Sequence, residues 1–208
     1  MSKVPPKLRA GILAVLVASG GGYAALSHID GETASLLRNQ YVQAVAQDGG
    51  TSQAVKVAMV MGAYFESSYK HIGTPYVDKL GKGQPLSVCN GITGPAVKVG
   101  RYYTPGDCYL LERAVYVENE KRLKSALPGW GGYTVLQQAT FVDFVHNLGS
   151  GAFDGSTMKR KLLAGDMVGA CRENPRWTRG TVNGVSVVLP GLQVRRDASA
   201  ELCEKGLQ

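Results

Sequence analysis

The sequence has no Cys-x-x-Cys pair, no internal repeat and no low-complexity tract. The missing pair argues against a zinc site. Two of the few histidines, His71 and His146, are far apart and lack metal-ligand spacing, so each reads as a structural or solvent-facing imidazole. Clustered basic tracts are also absent. The 23 Lys and Arg are scattered, and against 16 Asp and Glu they leave a net charge of +7. That scatter speaks against a nucleic-acid-binding arm. It leaves either a diffuse attraction to anionic surfaces or an ordinary basic, solvated exterior. With 208 residues and 44% hydrophobic content, the chain can fold one domain with a buried core plus a short appendage.

One stretch lacks charge altogether. After Lys3, Lys7 and Arg9, no Asp, Glu, Lys or Arg occurs from Ala10 to Ile29, and the run then meets Asp30. This is close to the ~20 residues that a membrane-spanning helix needs. The basic residues before it orient the N-terminus inward and the rest of the chain outward. The run is weakly apolar, with Gly11, Ser19, Gly20, Gly21, Gly22, Ser27 and His28 among many alanines. It therefore reads as a cleaved signal peptide with a site at Gly22-Tyr23-Ala24, as a permanent anchor, or as an anchor that inserts and later escapes. An ordinary buried helix fits poorly with three consecutive glycines behind a basic cluster. Residues 1–29 thus form one unit and residues 30–208 another. An export segment makes Cys89, Cys108, Cys171 and Cys203 candidates for disulfides rather than free thiols.

Beyond Asp30 the pattern predicts a helix from Glu32 to Gln47, then a nearly all-apolar core helix from a Thr51 or Ser52 cap to Phe65. Residues 67 to 100 are broken by glycine and proline and suit a small β lobe. Helices return after the Thr104-Pro105-Gly106-Asp107 start signal. One spans Val135 to Leu148, with Phe141, Phe144, Val145 and Leu148 on one face. Ser156 and Asp166 cap shorter ones, a hairpin turns at Asn183-Gly184, and Gly191 to Cys203 closes the chain as a helix. The fold class is α+β, with a small β lobe inserted early, a larger helical lobe and a cleft between them.

Glycoside cleavage needs an acid to protonate the leaving oxygen and a second carboxylate to manage water or the sugar cation. Glu66 ends the apolar helix, where a hydrophobic wall would favour its protonated form. Asp78 follows in the loop region, and Ser87, at a strand start, can hold a water. Such a trio is common in unrelated proteins; spacing alone does not make it a site.

The residues around the trio carry more. Phe65-Glu66, then Pro75-Tyr76-Val77-Asp78, then Ser87-Val88-Cys89-Asn90-Gly91 resemble the active-site region of phage lysozymes of glycoside hydrolase family 24. Further matches follow in order: Tyr103-Thr104, Phe144 to Phe153, Ala164-Gly165-Asp166, Arg176-Trp177-Thr178, Pro190-Gly191-Leu192 and Arg195-Arg196. The N-terminal run is similar to the signal-arrest-release segment of some phage endolysins. The resemblance implies a lysozyme-like fold that hydrolyses the β-1,4 bond between N-acetylmuramic acid and N-acetylglucosamine. Glu66 would be the acid, Asp78 the water-orienting or cation-stabilising carboxylate, and Ser87 would stand where the family has threonine. Asn147 and Trp177 become candidates for substrate binding. For Trp177 core packing is the commoner fate, and for Asn147 a helix cap is as good a reading. Arg195 and Arg196 read as solvated charge. Cysteines recur at these four positions in the family, and the pairing expected is Cys89 with Cys108 and Cys171 with Cys203.

The resemblance further implies a monomer without metal or cofactor. Its partners would be peptidoglycan strands and, through the N-terminal segment, the cytoplasmic membrane, but not nucleic acid; its path would run from membrane tether to periplasm. Eleven residues separate Glu66 from Asp78 and eight separate Asp78 from Ser87, so both loops are longer than the family pattern. Strict spacing would put Tyr69 in the acid slot, but a phenol cannot donate as a carboxylic acid does. The rival activities are a lytic transglycosylase on the same bond and a catalytically inactive peptidoglycan-binding phage protein.

Overall fold

The computed structural model describes residues 2–20, 29–78, 83–182 and 184–207. The first helix, α1 (Pro6–Ala18), starts on a proline where the missing amide costs nothing. Then come α2 (Gly31–Leu37) and α3 (Gln40–Gln47), where one helix was expected. The break falls at Asn39, whose side chain accepts from the amides of Tyr41 and Val42 and so starts a new helix. Ser52 caps α4 (Gln53–Ser67), which is buried continuously from Ala54 to Ala63. The small lobe holds β1 (Tyr76–Val77) and β2 (Leu86–Ser87), antiparallel with Tyr76 opposite Ser87.

Thr104 and Asp107 form a reciprocal cap on α5 (Pro105–Ala126), and Thr134 and Gln137 form another on α6 (Val135–Leu148). Short helices α7 (Ser150–Asp154), α8 (Thr157–Leu163) and α9 (Met167–Cys171) follow. A hairpin of β3 (Arg179–Val182) and β4 (Val185–Val188) leads into α10 (Pro190–Lys205). Of the expected turn at Asn183-Gly184, Asn183 lies outside the described residues, as does the Gly22-Tyr23-Ala24 site.

The main core forms where α4 packs on α6, with α1, α3, α5 and α10 around them. A second, smaller core of Val88, Cys89, Ile92, Val97, Tyr103 and Cys108 lies under the β lobe. Each lobe carries one disulfide, Cys89–Cys108 in the small one and Cys171–Cys203 in the large one, which is the expected pairing. Asp48 ties the α3–α4 turn to α5 by accepting from Arg113 and from the Tyr109 hydroxyl.

The N-terminal helix departs from expectation. Among the described residues no helix is long and apolar enough to cross a membrane. Instead α1 is a core helix packed on α2, α3 and α4, with Leu8, Ile12, Val15 and Leu16 buried. Each such side chain contributes about 1.5–3 kcal/mol on burial. The small residues that weaken α1 as a membrane span allow this packing. Gly11 is the clearest case, because the ring of Tyr69 lies directly over it; a Cβ there would sit 1.9 Å from the Tyr69 hydroxyl.

That contact gives a test of the docked helix. Gly11→Ala should destabilise the protein by roughly 1–3 kcal/mol, the usual cost of overpacking. The Tyr69 hydroxyl is buried with no partner among the described residues, so adding Tyr69→Phe should restore part of the loss. Urea unfolding of the two single variants and the double variant measures both effects. An unchanged Gly11→Ala midpoint would mean that α1 does not pack there.

Candidate active site

Glu66 lies in the last turn of α4, with its side chain at the surface but its carboxylate held from behind. Arg195 of α10 donates to it at 2.6 Å and, on its other side, to both oxygens of Asp143 of α6. Asp143 is fully buried and Arg195 is 3% exposed. Burial alone would pull the Arg195 guanidinium down, but the Asp143 and Glu66 charges overcome that and leave it raised. Burial likewise pushes Asp143 up, and Arg195 more than offsets it, leaving a carboxylate below its ordinary range. The carboxylate of Glu66 therefore meets a buried cation, where the sequence led us to expect a hydrophobic wall.

Asp78 is half-buried beyond the end of β1, and its amide donates to Pro85 across the hairpin. The Tyr76 phenol is pushed up chiefly by burial, with the negative charges of Asp78 and Glu66 adding to the shift. Ser87 is opposite Tyr76 in the β1–β2 register. The Ser87 hydroxyl is buried and has no hydrogen-bonding partner among the described residues. An unsatisfied buried hydroxyl is rare and is available to a water. The hairpin thus carries Asp78, Tyr76 and Ser87, and α4 carries Glu66.

The remaining candidates spread around this pair of arms. Asn147 is half-buried near the end of α6 and accepts from Arg196; the cap of that helix is Gly149, not Asn147. Trp177 packs edge-on against Phe144, with ring centres 5.3 Å apart. Tyr69, the residue that strict spacing would put in the acid slot, is turned into the α1 contact. His71 meets the ring of Tyr102.

Two expectations fail here. Arg195 and Arg196 are not solvated; both are buried, Arg195 on its two acids and Arg196 against Asn147 and the face of Phe144. Sequence reading also missed Asp143. Its signal was present, since an acid on the same helix as Phe141, Phe144 and Val145 calls for a buried cation.

The sequence profile of the phage lysozyme family matches residues 70–199. Asp78 and Ser87 fall inside that match, and Glu66 stands just before it. The chain is 28% identical to the SAR-endolysin of Enterobacteria phage PA-2 over 165 residues, 77% of this chain and 92% of that one. Its fold is similar to that of the active form of the P1 phage endolysin Lyz, with a TM-score of 0.64 at 19% identity, covering 81% of this chain and 93% of the other. The muramidase domain of SpmX from Asticaccaulis excentricus gives 0.61 at 21% identity, covering 74% and 96%.

His146 yields a pH prediction. It stacks on Tyr116 with ring centres 4.0 Å apart, its Nδ1 buried with no partner among the described residues. Burial pulls the imidazole down to about 4. The fold therefore prefers neutral His146. Its contribution is complete above the unfolded value near 6.5 and is lost as pH falls toward about 4, on the order of 3 kcal/mol at most. Melting curves of His146→Gln and the parent from pH 7 to pH 4 should converge as pH falls. Parallel curves would sink this assignment.

With the family profile matching residues 70–199, well over half of the sequence, the chain belongs to the phage lysozyme family.

Proposed function

We propose that this protein is an endolysin that hydrolyses the β-1,4 bond between N-acetylmuramic acid and N-acetylglucosamine in peptidoglycan, for breakdown of the host wall. The observation that carries the reading is the Glu66 carboxylate at the surface end of α4, held from behind by Arg195 locked on Asp143. Glu66 gives its proton to the leaving glycosidic oxygen. Asp78 orients the attacking water or stabilises the oxocarbenium-like transition state. The unsatisfied hydroxyl of Ser87 helps to hold that water. Arg195 fixes the direction of the Glu66 carboxylate, because a guanidinium already locked on Asp143 has little freedom left. Asn147 and Trp177 are the further candidates for contact with the glycan. The net charge of +7 favours an anionic wall.

Glu66→Gln should abolish lysis of purified sacculi while leaving the melting temperature near that of the parent. Activity within a few-fold of the parent would remove Glu66 from the acid role. Mass spectrometry of the released muropeptides separates hydrolysis from its rival: reducing ends are expected, and 1,6-anhydro ends would identify a transglycosylase.

The same reading covers export. Relatives such as that of phage PA-2 carry the name SAR-endolysin. Residues 1–29 are proposed to insert as a signal-anchor, because the run is uncharged and follows a basic start. They later leave the bilayer, because they are only weakly apolar, and α1 then docks in the core of the periplasmic protein. Fractionation should find both a membrane-bound and a soluble pool, each beginning at the original N-terminus. A mature protein beginning near Ala25 would show a cleaved signal peptide instead.

A further inference from the structure

The two arms that carry the proposed catalytic groups are joined by loops longer than the family pattern, and packing between them is incomplete. A cavity of about 260 Å³ lies between the end of α4 and the small lobe, lined by Asn39, Tyr41, Ser67, Tyr69, Cys89 and Asn90 among others. Close-packed side chains do not set the spacing of the arms across this gap.

A polar bracket spans it. Its centre is Glu112 of α5, which is 1% exposed. One Glu112 oxygen accepts from the Asn90 amide at 3.1 Å and from Asn90 Nδ2 at 3.0 Å. The other accepts from Asn90 Nδ2 at 3.1 Å and from the Tyr41 hydroxyl of α3. Burial pushes the Glu112 carboxyl up, and the hydrogen bonds from Tyr41 and Asn90 oppose that shift. Asn90 is three residues after Ser87. At the same N-terminal end of α3, Asn39 Nδ2 donates to the carbonyl of Tyr69, three residues after Glu66. Helix α3 thus touches both arms.

The Cys89–Cys108 disulfide and the small core around it already attach the turn after β2 to α5, and the Cys89 amide donates to Ile72. Asn90, one residue later, adds a polar attachment to α5 through Glu112. The Tyr41 hydroxyl then refers the turn to α3, and through Asn39 to the Glu66 arm.

We propose that Glu112 is a positioning residue for the hydrolytic reaction: with Tyr41 and Asn90 it fixes the hairpin bearing Asp78 and Ser87 against the helix bearing Glu66. It touches neither substrate nor reacting atoms. The proposal rests on the reading of Glu66 and Asp78 as the catalytic pair.

The test compares Glu112→Gln, Glu112→Leu and Tyr41→Phe in the full-length chain, on soluble glycan strands, with kcat, KM and melting temperature measured for each. Misplacement by about 1 Å costs on the order of 100-fold in rate. A fall in kcat of about ten- to a hundred-fold with KM little changed is expected for both Glu112 variants. Leucine is the informative change, because an apolar replacement of a buried charge is often neutral or stabilising. A purely structural carboxylate predicts that Glu112→Leu keeps both its melting temperature and its kcat. Positioning predicts that the melting temperature survives and kcat does not. Should the Glu112 variants fail to fold, Tyr41→Phe removes only the bond to α3 and should still lower kcat several-fold. Parental kcat in any folded variant of the three overturns the proposal. Glu66→Gln run alongside keeps the two readings apart: if it is inactive while Glu112→Leu is fully active, only the bracket fails; if it is active, the catalytic pair itself is wrong.

Discussion

Arg195 is the group on which the architecture turns. It is a cation removed from water, and removal is tolerable only because two carboxylates from two other helices reach it. Losing one partner from a buried pair typically costs about 3–5 kcal/mol, because the other charge is left uncompensated. The requirement works as a geometric constraint. The end of α4, the middle of α6 and the first half of α10 must meet at one point, and no sliding of one helix along another preserves all the bonds. Glu66 inherits its position from that constraint. Its carboxylate faces outward because its inner oxygen is already occupied.

The price of this arrangement is that the catalytic lobe needs a well-supported α4, and much of that support comes from α1. Gly11 and the alanines of α1 permit its close approach to Tyr69 and α4, so a bulkier residue at Gly11 would lose that fit. Under the proposed export route, the same small residues also keep the segment only weakly apolar. Tyr69 follows Ser68 in left-handed backbone at the end of α4, so the docked helix bears on the turn immediately after Glu66.

Legibility from sequence divides along physical lines. Helix starts were readable wherever a side chain satisfies its own local amides, as at Ser52, Thr104, Ser156 and Asp166, because the cause lies within four residues. The break at Asn39 was missed, although the same rule applies, because the apolar period runs smoothly across it. Arg195 and Arg196 looked like surface charge, since their partners Asp143 and Asn147 are about fifty residues away. Glu112 was invisible for the same reason: nothing near it in sequence announces Tyr41 or Asn90. Burial of α1 was the reverse case, a short-range pattern of charge and glycine that fits a membrane segment and says nothing about the groove that receives it. The proposed site residues were named through an ordered set of resemblances, whereas the long-range partners around them were not visible in the sequence.

This division bears on how the site tolerates its long loops. A family pattern with short connections can fix its carboxylates by chain length alone. Here eleven and eight residues intervene, enough slack to move either group by several ångströms. The slack is taken up at the ends of the loops: by Arg195 behind Glu66, by the β1–β2 register that sets Ser87 opposite Tyr76, and by the disulfide at Cys89. Each restraint acts within a few residues of the group it steadies and reaches across the chain to a helix. Loop length then becomes free to vary, because geometry at the site is set by attachments outside the loops. That is why both loops can be longer than the family pattern while the Glu66 carboxylate and the strand bearing Ser87 stay anchored.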